Sequence, residues 1–348
     1  MAGCCTHFSE RELAEVLGHY QVGTISQSYP LSAGNSGAPK MVVVSDQGKF
    51  LLKRRAKGKD DIQRVGFAHA VQNHLANAGF PVSAVLAGRQ QGSTVLQLNN
   101  HVYEVFRFVE GCRYGGSAQE TIDAGRQLGK FHVCLNDFQF PWQPSGTGFH
   151  DSNSVRKYLK STPQALSGTC ESRQKPDRKV LNLTETLMTL YNDCSIHVNE
   201  LGFDSWQRQV VHGDWHPGNM LFSGNRIVAV VDFDSLRIAP AVTDLANGML
   251  QFSIVGDRPN PADWPDYLDQ AKLIQFLNGY REVIELQDCH LQSLPALMIE
   301  TIIAEAVLPI AATGFFGHLS GVNFLEMIVR KARWIDANGE KLAQAMKA

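Results

Sequence analysis

The segment His212-Gly213-Asp214-Trp215-His216-Pro217-Gly218-Asn219 holds a carboxylate and a carboxamide five residues apart. Moving a phosphoryl group to an alcohol requires a carboxylate that orients the hydroxyl and accepts its proton. It also requires oxygen ligands that keep magnesium on the phosphates. Asp214 and Asn219 supply one of each, in a loop stiffened by Pro217 and loosened by Gly213 and Gly218. Eighteen residues beyond Asp214, Val230-Val231-Asp232-Phe233-Asp234 puts a second carboxylate just after an apolar run, where Asp232 can ligate the same metal. Each half has a plainer reading. Asp, Pro, Gly and Asn dominate ordinary turns, and Asp232 can simply cap the segment that follows. His212 and His216 are four apart, but Pro217 argues against a helix presenting both to a metal. Two such motifs at this spacing, each beside a short apolar strand, favour phosphoryl-transfer chemistry over coincidence.

The elements around these residues change character along the chain. Pro39–Asp46 and Lys49–Arg55 read as strands joined at Asp46-Gln47-Gly48, a hairpin signal. Asp61–Ala78 has helical spacing, with Gly79 as its stop. Val82–Gly88, Thr94–Leu98 and His101–Val109 read as further strands, and Glu110-Gly111 breaks the pattern. Beyond it the chain reads as mainly helical, with one helix at Thr121–Leu135 and another carried by Val180, Leu187, Cys194 and Leu201. Pro141–Gly148 and Ser161–Pro176 read as loops. Asn219–Phe222 and Ile227–Val231 read as short strands flanking the turn Ser223-Gly224-Asn225. Everything after Pro261 reads as helical.

Together the two motifs match the HxDxxxxN and DxG-like constellation of kinases, with Asp234 where glycine is usual. The His212–Phe222 stretch followed by Val230–Ala246 resembles the signature of the aminoglycoside phosphotransferase and choline kinase family, which includes homoserine and methylthioribose kinases. The close match runs over residues 212–246, and the order of elements agrees across most of the chain. The resemblance implies an α+β, two-lobed protein-kinase-like fold. Residues 1–109 would form a small β-rich N-lobe with one helix, and residues 110–348 a larger, mainly helical C-lobe, with ATP in the cleft. It implies Asp214 as catalytic base, Asn219 and Asp232 as Mg2+ ligands, and Asp244 as an aspartate that orders the catalytic region.

In Phe50-Leu51-Leu52-Lys53, alternation puts Leu51 and Lys53 on one face of a strand. By likeness to a kinase third strand, Leu51 meets adenine and Lys53 reaches the α- and β-phosphates. The loop Leu31–Gly37 precedes the first hairpin, and Gly34, Asn35 and Ser36 can turn backbone N–H groups toward phosphate. It is not a Walker A loop, since no GxxxxGK[ST] occurs. One departure stands out: the glutamate that kinases place on the following helix to pair with the lysine is absent, and Ala68 stands there. His69 or Asp61, or the nucleotide alone, is left to hold Lys53. The basic run Lys53–Lys59 otherwise reads as a solvated strand end offset by Asp60 and Asp61.

A formal charge of −2 over 348 residues gives no reason to expect a nucleic-acid partner. Seven scattered cysteines without a CxxC pair speak against a zinc ribbon or a secreted disulfide framework. Met1–Glu10 has no apolar export segment. Glu300 and Glu305 interrupt the apolar Leu294–Phe316 stretch, which reads as a buried helix rather than a membrane span. A cytoplasmic protein with a small-molecule hydroxyl substrate is the expectation. For the acceptor, Trp215 and His216 should border the site, with Glu305, His318, Arg330 and Arg333 as further candidates. A cationic acceptor calls for the acid and an acidic one for the arginines; both fit the sequence. Asn73–Val82 resembles homoserine kinase-like members more than antibiotic-modifying ones. Two other readings stay open. One is a nucleotide-binding regulator without turnover, motivated by Ala68. The other is a protein kinase, against which stands the absence of an A-P-E motif.

Overall fold

Val42, Val43, Phe50 and Leu52 commit the first third of the chain to a sheet, because β-branched and aromatic side chains suit a pleated, half-buried surface. In the computed structural model, which describes residues 7–31, 38–89, 92–144, 148–167, 176–256 and 258–347, five strands form one antiparallel sheet. They are β1 (Ile25–Pro30), β2 (Lys40–Ser45), β3 (Gly48–Arg54), β4 (Leu96–Leu98) and β5 (His101–Arg107), in the order β1-β2-β3-β5-β4. One face is covered by α1 (Glu10–Gly18), whose Val16 and Leu17 cluster with Val43, Phe50, Leu52, Tyr103 and Val105. Strand alternation turns Lys40, Leu51, Lys53, Glu104 and Phe106 to the opposite face. Helix α2 (Ile62–Asn77) begins at Asp61, whose carboxylate accepts the Arg64 N–H at 2.8 Å, and ends before Gly79 at φ 75°.

Several expectations change here. Helix α1 was not anticipated in the sequence. Val82–Gly88 forms only single bridges, Val82 with Val230, Val85 with Phe106 and Gly88 with Tyr20, rather than a strand. Arg54 and Arg55 are buried rather than solvated, because each has an acid to pair with: Arg54 meets Glu12 at 2.7 Å. Only the far end of that basic run, Lys57 and Lys59, is exposed.

The chain folds as two compact units. One comprises Met1–Tyr114, Cys134–Pro144 and Gly218–Leu236, the other Gly115–Val133, Ser145–Pro217 and Arg237–Ala348. The sequence reading has a single division after Val109. The first unit instead regains the hairpin β7 (Met220–Ser223) and β8 (Arg226–Val230). Backbone bonds from Cys112 to Phe222 and back, at 2.7 and 2.8 Å, explain why.

The second unit is mainly helical: α3 (Ala118–Leu135, ending at the division), α4 (Asn153–Leu166), α5 (Arg178–Glu200), α6 (Val242–Ser253), α7 (Gln270–Arg281), α8 (Asp288–Thr313) and α9 (Gly321–Lys347), with β6 (Arg208–Val211) paired to β9 (Arg237–Pro240). Helix α4 runs into the expected 161–176 loop, and a short hairpin, β10 (Phe315–Phe316) with β11 (Leu319–Ser320), interrupts the helical C-terminal part. Helix α8 is long and apolar enough to cross a membrane, but 72% of its most apolar window is buried inside the protein. It lies against α4, α5, α6 and α9. Both of its central acids are partnered, Glu300 by His150 at 3.0 Å and Glu305 by Asn247 at 2.5 Å. The architecture is the two-lobed, kinase-like α+β arrangement that the sequence led us to expect.

Candidate active site

The loop after β6 is suspended from the start of α6. Asp244 is 1% exposed; its two carboxylate oxygens accept the N–H groups of His212 at 2.6 Å and Gly213 at 2.8 Å. One turn further along α6, Asn247 Oδ1 accepts the Trp215 N–H at 2.9 Å. The backbone is therefore pinned on both sides of Asp214, and Gly213 at φ 77° makes the turn between the pins. Arg237, the β9 partner of Val211, donates to the Gly213 carbonyl at 2.8 Å. Burial pushes the Asp244 carboxyl up, but the hydrogen bond from His132 and the charges of His132, His212 and Arg237 outweigh it and hold the group below its ordinary range. Asp244 thus has the ordering position that the resemblance implied.

Asp214 points outward, its side chain 38% exposed, with His216 Nε2 3.6 Å from its carboxylate. Trp215 corrects an expectation. It is 0% exposed, with its ring against Phe131 and His212, so it belongs to the core and not to an acceptor surface. Alternation around the pinned loop sends its side chain inward while Asp214 and His216 stay accessible. Glu305 comes to the same region from α8. Asn247 Nδ2 donates to one of its oxygens at 2.5 Å, and Gln251 Nε2 donates to the other. Burial first, and the charge of Asp214 second, push the Glu305 carboxyl up to about 7. Asn247 therefore joins the Asp214 loop to Glu305 through its two amide ends. Arg330, in contrast, is engaged by Asp266 at 2.7 Å and by the Trp264 carbonyl, as a brace for its own helix.

The remaining candidates lie in the first unit. Asn219 is buried at the base of β7, and its carbonyl accepts the Val231 N–H at 2.9 Å, which sets Asp232 at the end of the paired strand. Asp232 is exposed and holds φ 64°, a left-handed conformation that non-glycine residues seldom adopt and that concentrates at functional sites. On the sheet, Lys40, Lys53 and Glu104 form one row across β2, β3 and β5. Leu51 occupies the adjacent row between Val42 and Phe106 and is half-buried. Lys53 Nζ lies 3.6 Å from Asp234 and 3.8 Å from Glu104. Gly34, Asn35 and Ser36 fall outside the described residues.

Among the described residues, no group of three or more His, Cys, Asp or Glu side chains is arranged to hold a metal. A carboxylate and a carboxamide oxygen are nevertheless the hard donors that Mg2+ takes when phosphates and water complete its shell, so Asn219 and Asp232 fit that ion. Sequence reasoning missed Lys40, Arg55, Glu104, Asn247 and Gln251. Lys40 was legible in principle, because the β2–β3 hairpin register sets it opposite Lys53, whereas Glu104 faces Lys53 through a pairing of strands that are not neighbours along the chain. The two amides carry no sequence signal, since their partners lie far along the chain.

The chain as a whole is similar to several known proteins. A homoserine kinase of Methylocella silvestris is 23% identical over 248 residues, which cover 69% of this chain and 69% of that protein. The structure of the microcompartment-associated aminopropanol kinase superposes with a TM-score of 0.69 at 14% identity, covering 96% of this chain and 99% of that one. Amicoumacin kinase hAmiN, solved with AMP-PNP and Ca2+, superposes with a TM-score of 0.67 at 14% identity over 96% and 94% of the two chains. Residues 29–286, from the end of β1 to beyond α7, match the phosphotransferase enzyme family (APH), and this chain belongs to that family.

Proposed function

We propose that the protein transfers the γ-phosphoryl group of ATP to the hydroxyl of a small amino alcohol, with Asp214 as the general base. The observation that carries this reading is the loop pinned on either side of Asp214 by Asp244 and Asn247, which holds one accessible carboxylate in a fixed place. Such pre-organisation is what phosphoryl transfer asks of a protein, because positioning and charge stabilisation supply most of the catalysis. Asp214 orients the acceptor hydroxyl and takes its proton as the new oxygen–phosphorus bond forms; the bond from the γ-phosphorus to the bridging oxygen breaks and ADP leaves. Asn219 and Asp232 hold Mg2+, which when bound neutralises charge on the phosphates. Lys53 meets the α- and β-phosphates, and Leu51 lies against the adenine.

The acceptor class rests on Glu305. An acid joined to the Asp214 loop through Asn247, and within electrostatic reach of Asp214, suits an ammonium group beside the reacting hydroxyl. The homoserine and aminopropanol kinases among the similar proteins are consistent with such an acceptor. The test is magnesium-dependent ADP release against homoserine, aminopropanol, ethanolamine, choline, methylthioribose and aminoglycosides. One amino alcohol should raise release far above background, and Asp214→Asn should lower that rate by roughly 10²- to 10⁴-fold while nucleotide still binds. A sugar or aminoglycoside as the sole active acceptor would overturn the acceptor class. An unimpaired Asp214→Asn would overturn the base.

A further inference from the structure

Helix α2, Ile62–Asn77, contains no aspartate or glutamate at all, so it has nothing with which to pair Lys53. A carboxylate is nonetheless held beside that lysine. Glu104 lies directly across from Lys53 in the β3–β5 register and is 0% exposed. Burying an ionised carboxylate is costly unless it is paired and fully hydrogen-bonded, and Glu104 is. Arg55 Nε and Nη2 grip its two oxygens at 2.7 Å each, and His69 Nε2 reaches the second oxygen at 2.7 Å. The other ring nitrogen of His69 lies 2.9 Å from the Thr94 hydroxyl, which fixes the ring. The third guanidinium nitrogen of Arg55 donates to Asp234 at 2.6 Å. Arg55 is thus a buried fork between an acid on the sheet and an acid two residues past Asp232.

We propose that Glu104 replaces the missing helix glutamate, as the positioning residue for Lys53, through the ion-pair chain Glu104–Arg55–Asp234. The chain couples the phosphate-facing lysine to the segment that carries Asp232, and it rests on the phosphate role of Lys53 given above. The distances explain the division of labour. Arg55 makes the short, directional bonds, whereas Lys53 stands 3.8 Å from Glu104 and 3.6 Å from Asp234, beyond ordinary hydrogen-bond length. Two acids therefore hold the ammonium by their field and leave its hydrogens for a phosphate. Lys40, directly opposite Lys53 on β2, makes that field necessary, because like charges facing each other across strands repel. Burial would raise the Glu104 carboxyl, but His69, Arg55 and Lys53 together hold it well below the carboxylate range.

Calorimetric titration of the whole protein with ATP and with adenosine, both in EDTA, separates phosphate positioning from folding. Glu104→Gln is expected to lower ATP affinity by roughly ten- to a hundredfold and to leave adenosine affinity unchanged. In a double-mutant cycle with Lys53→Ala, the loss of ATP affinity in the double variant should equal that of Lys53→Ala alone, because Glu104 acts through the lysine. Losses that add, or equal losses for ATP and adenosine, would overturn the anchoring role. Asp234→Asn, at the less buried end of the same chain, with its side chain 13% exposed against 0% for Glu104, puts the same question in a second variant and should be likewise non-additive with Lys53→Ala. An unchanged ATP affinity in Lys53→Ala would remove the phosphate role of the lysine, and the anchoring with it, while leaving acceptor-dependent transfer by Asp214 measurable.

Discussion

Asp214 and Glu305 are two acids in one unit with different surroundings. Asp214 is accessible, whereas Glu305 is enclosed by α6 and α8 and feels the charge of Asp214 as well, which brings it up to about 7. Below that pH Glu305 is neutral and above it anionic, so an ammonium-bearing acceptor should bind more tightly as pH rises from about 6 to about 8. The KM for the acceptor should fall over that range while the KM for ATP stays level. Glu305→Gln should give a raised acceptor KM that no longer follows pH. A KM that follows pH equally in both proteins would exclude Glu305 as the ammonium-binding acid.

At the scale of elements, two contacts carry the geometry. The first is the α6 N-terminus. Asp244→Ala would take their partner from the N–H groups of His212 and Gly213 and from His132 Nε2, and should destabilise the fold by about 3–5 kcal/mol in denaturant titration. Because the native state holds the Asp244 carboxyl below its ordinary value, its contribution is present above that range and lost as pH falls through it. Asp244→Asn should therefore show a shallower loss of melting temperature below about pH 4 than the parent protein. The second contact is the crossing of α3 and α7. A Cβ at Gly279 would lie 1.9 Å from the Ile122 carbonyl oxygen, and one at Gly125 1.9 Å from that of Phe276. Backbone atoms cannot swing aside as a side chain can, so Gly279→Ala should cost about 1–3 kcal/mol, read as a lower midpoint in urea. An unchanged midpoint would mean that the helices can part freely.

Over the whole molecule, nucleotide should act as a ligand of the native state alone, and stabilise it by about 2.7 kcal/mol at a hundredfold excess over Kd. Thermal melts with ATP should rise further when Mg2+ is added. In Asp232→Ala the rise with ATP alone should persist and the extra rise with Mg2+ should vanish. Retention of that extra rise would remove Asp232 from the metal site. Helix α8 shows why such measurements are made on the folded chain. It is long and apolar enough for a lipid bilayer, but its burial among α4, α5, α6 and α9, with Glu300 and Glu305 both partnered, agrees with the buried helix that those two acids suggest in the sequence.

Residues close in sequence were the ones legible without the structure. Asp214, Asn219 and Asp232 sit in two short motifs whose spacing is dictated by local turns and strand ends, and the β2–β3 hairpin and α2 follow from turn chemistry and periodicity. The same local logic misjudged Trp215, because which side chain of a loop turns inward depends on what packs behind it, here Phe131 and the start of α6. It also read Arg55 as solvated and offered Lys53 only His69, Asp61 or the nucleotide. Only the tertiary structure, which sets β5 beside β3 and returns residues 218–236 to the sheet unit, brings Glu104 and Asp234 to Arg55 and Lys53. Ion pairing and burial are decided by distance in space, and between partners 49 and 179 residues apart along the chain no periodicity records that distance.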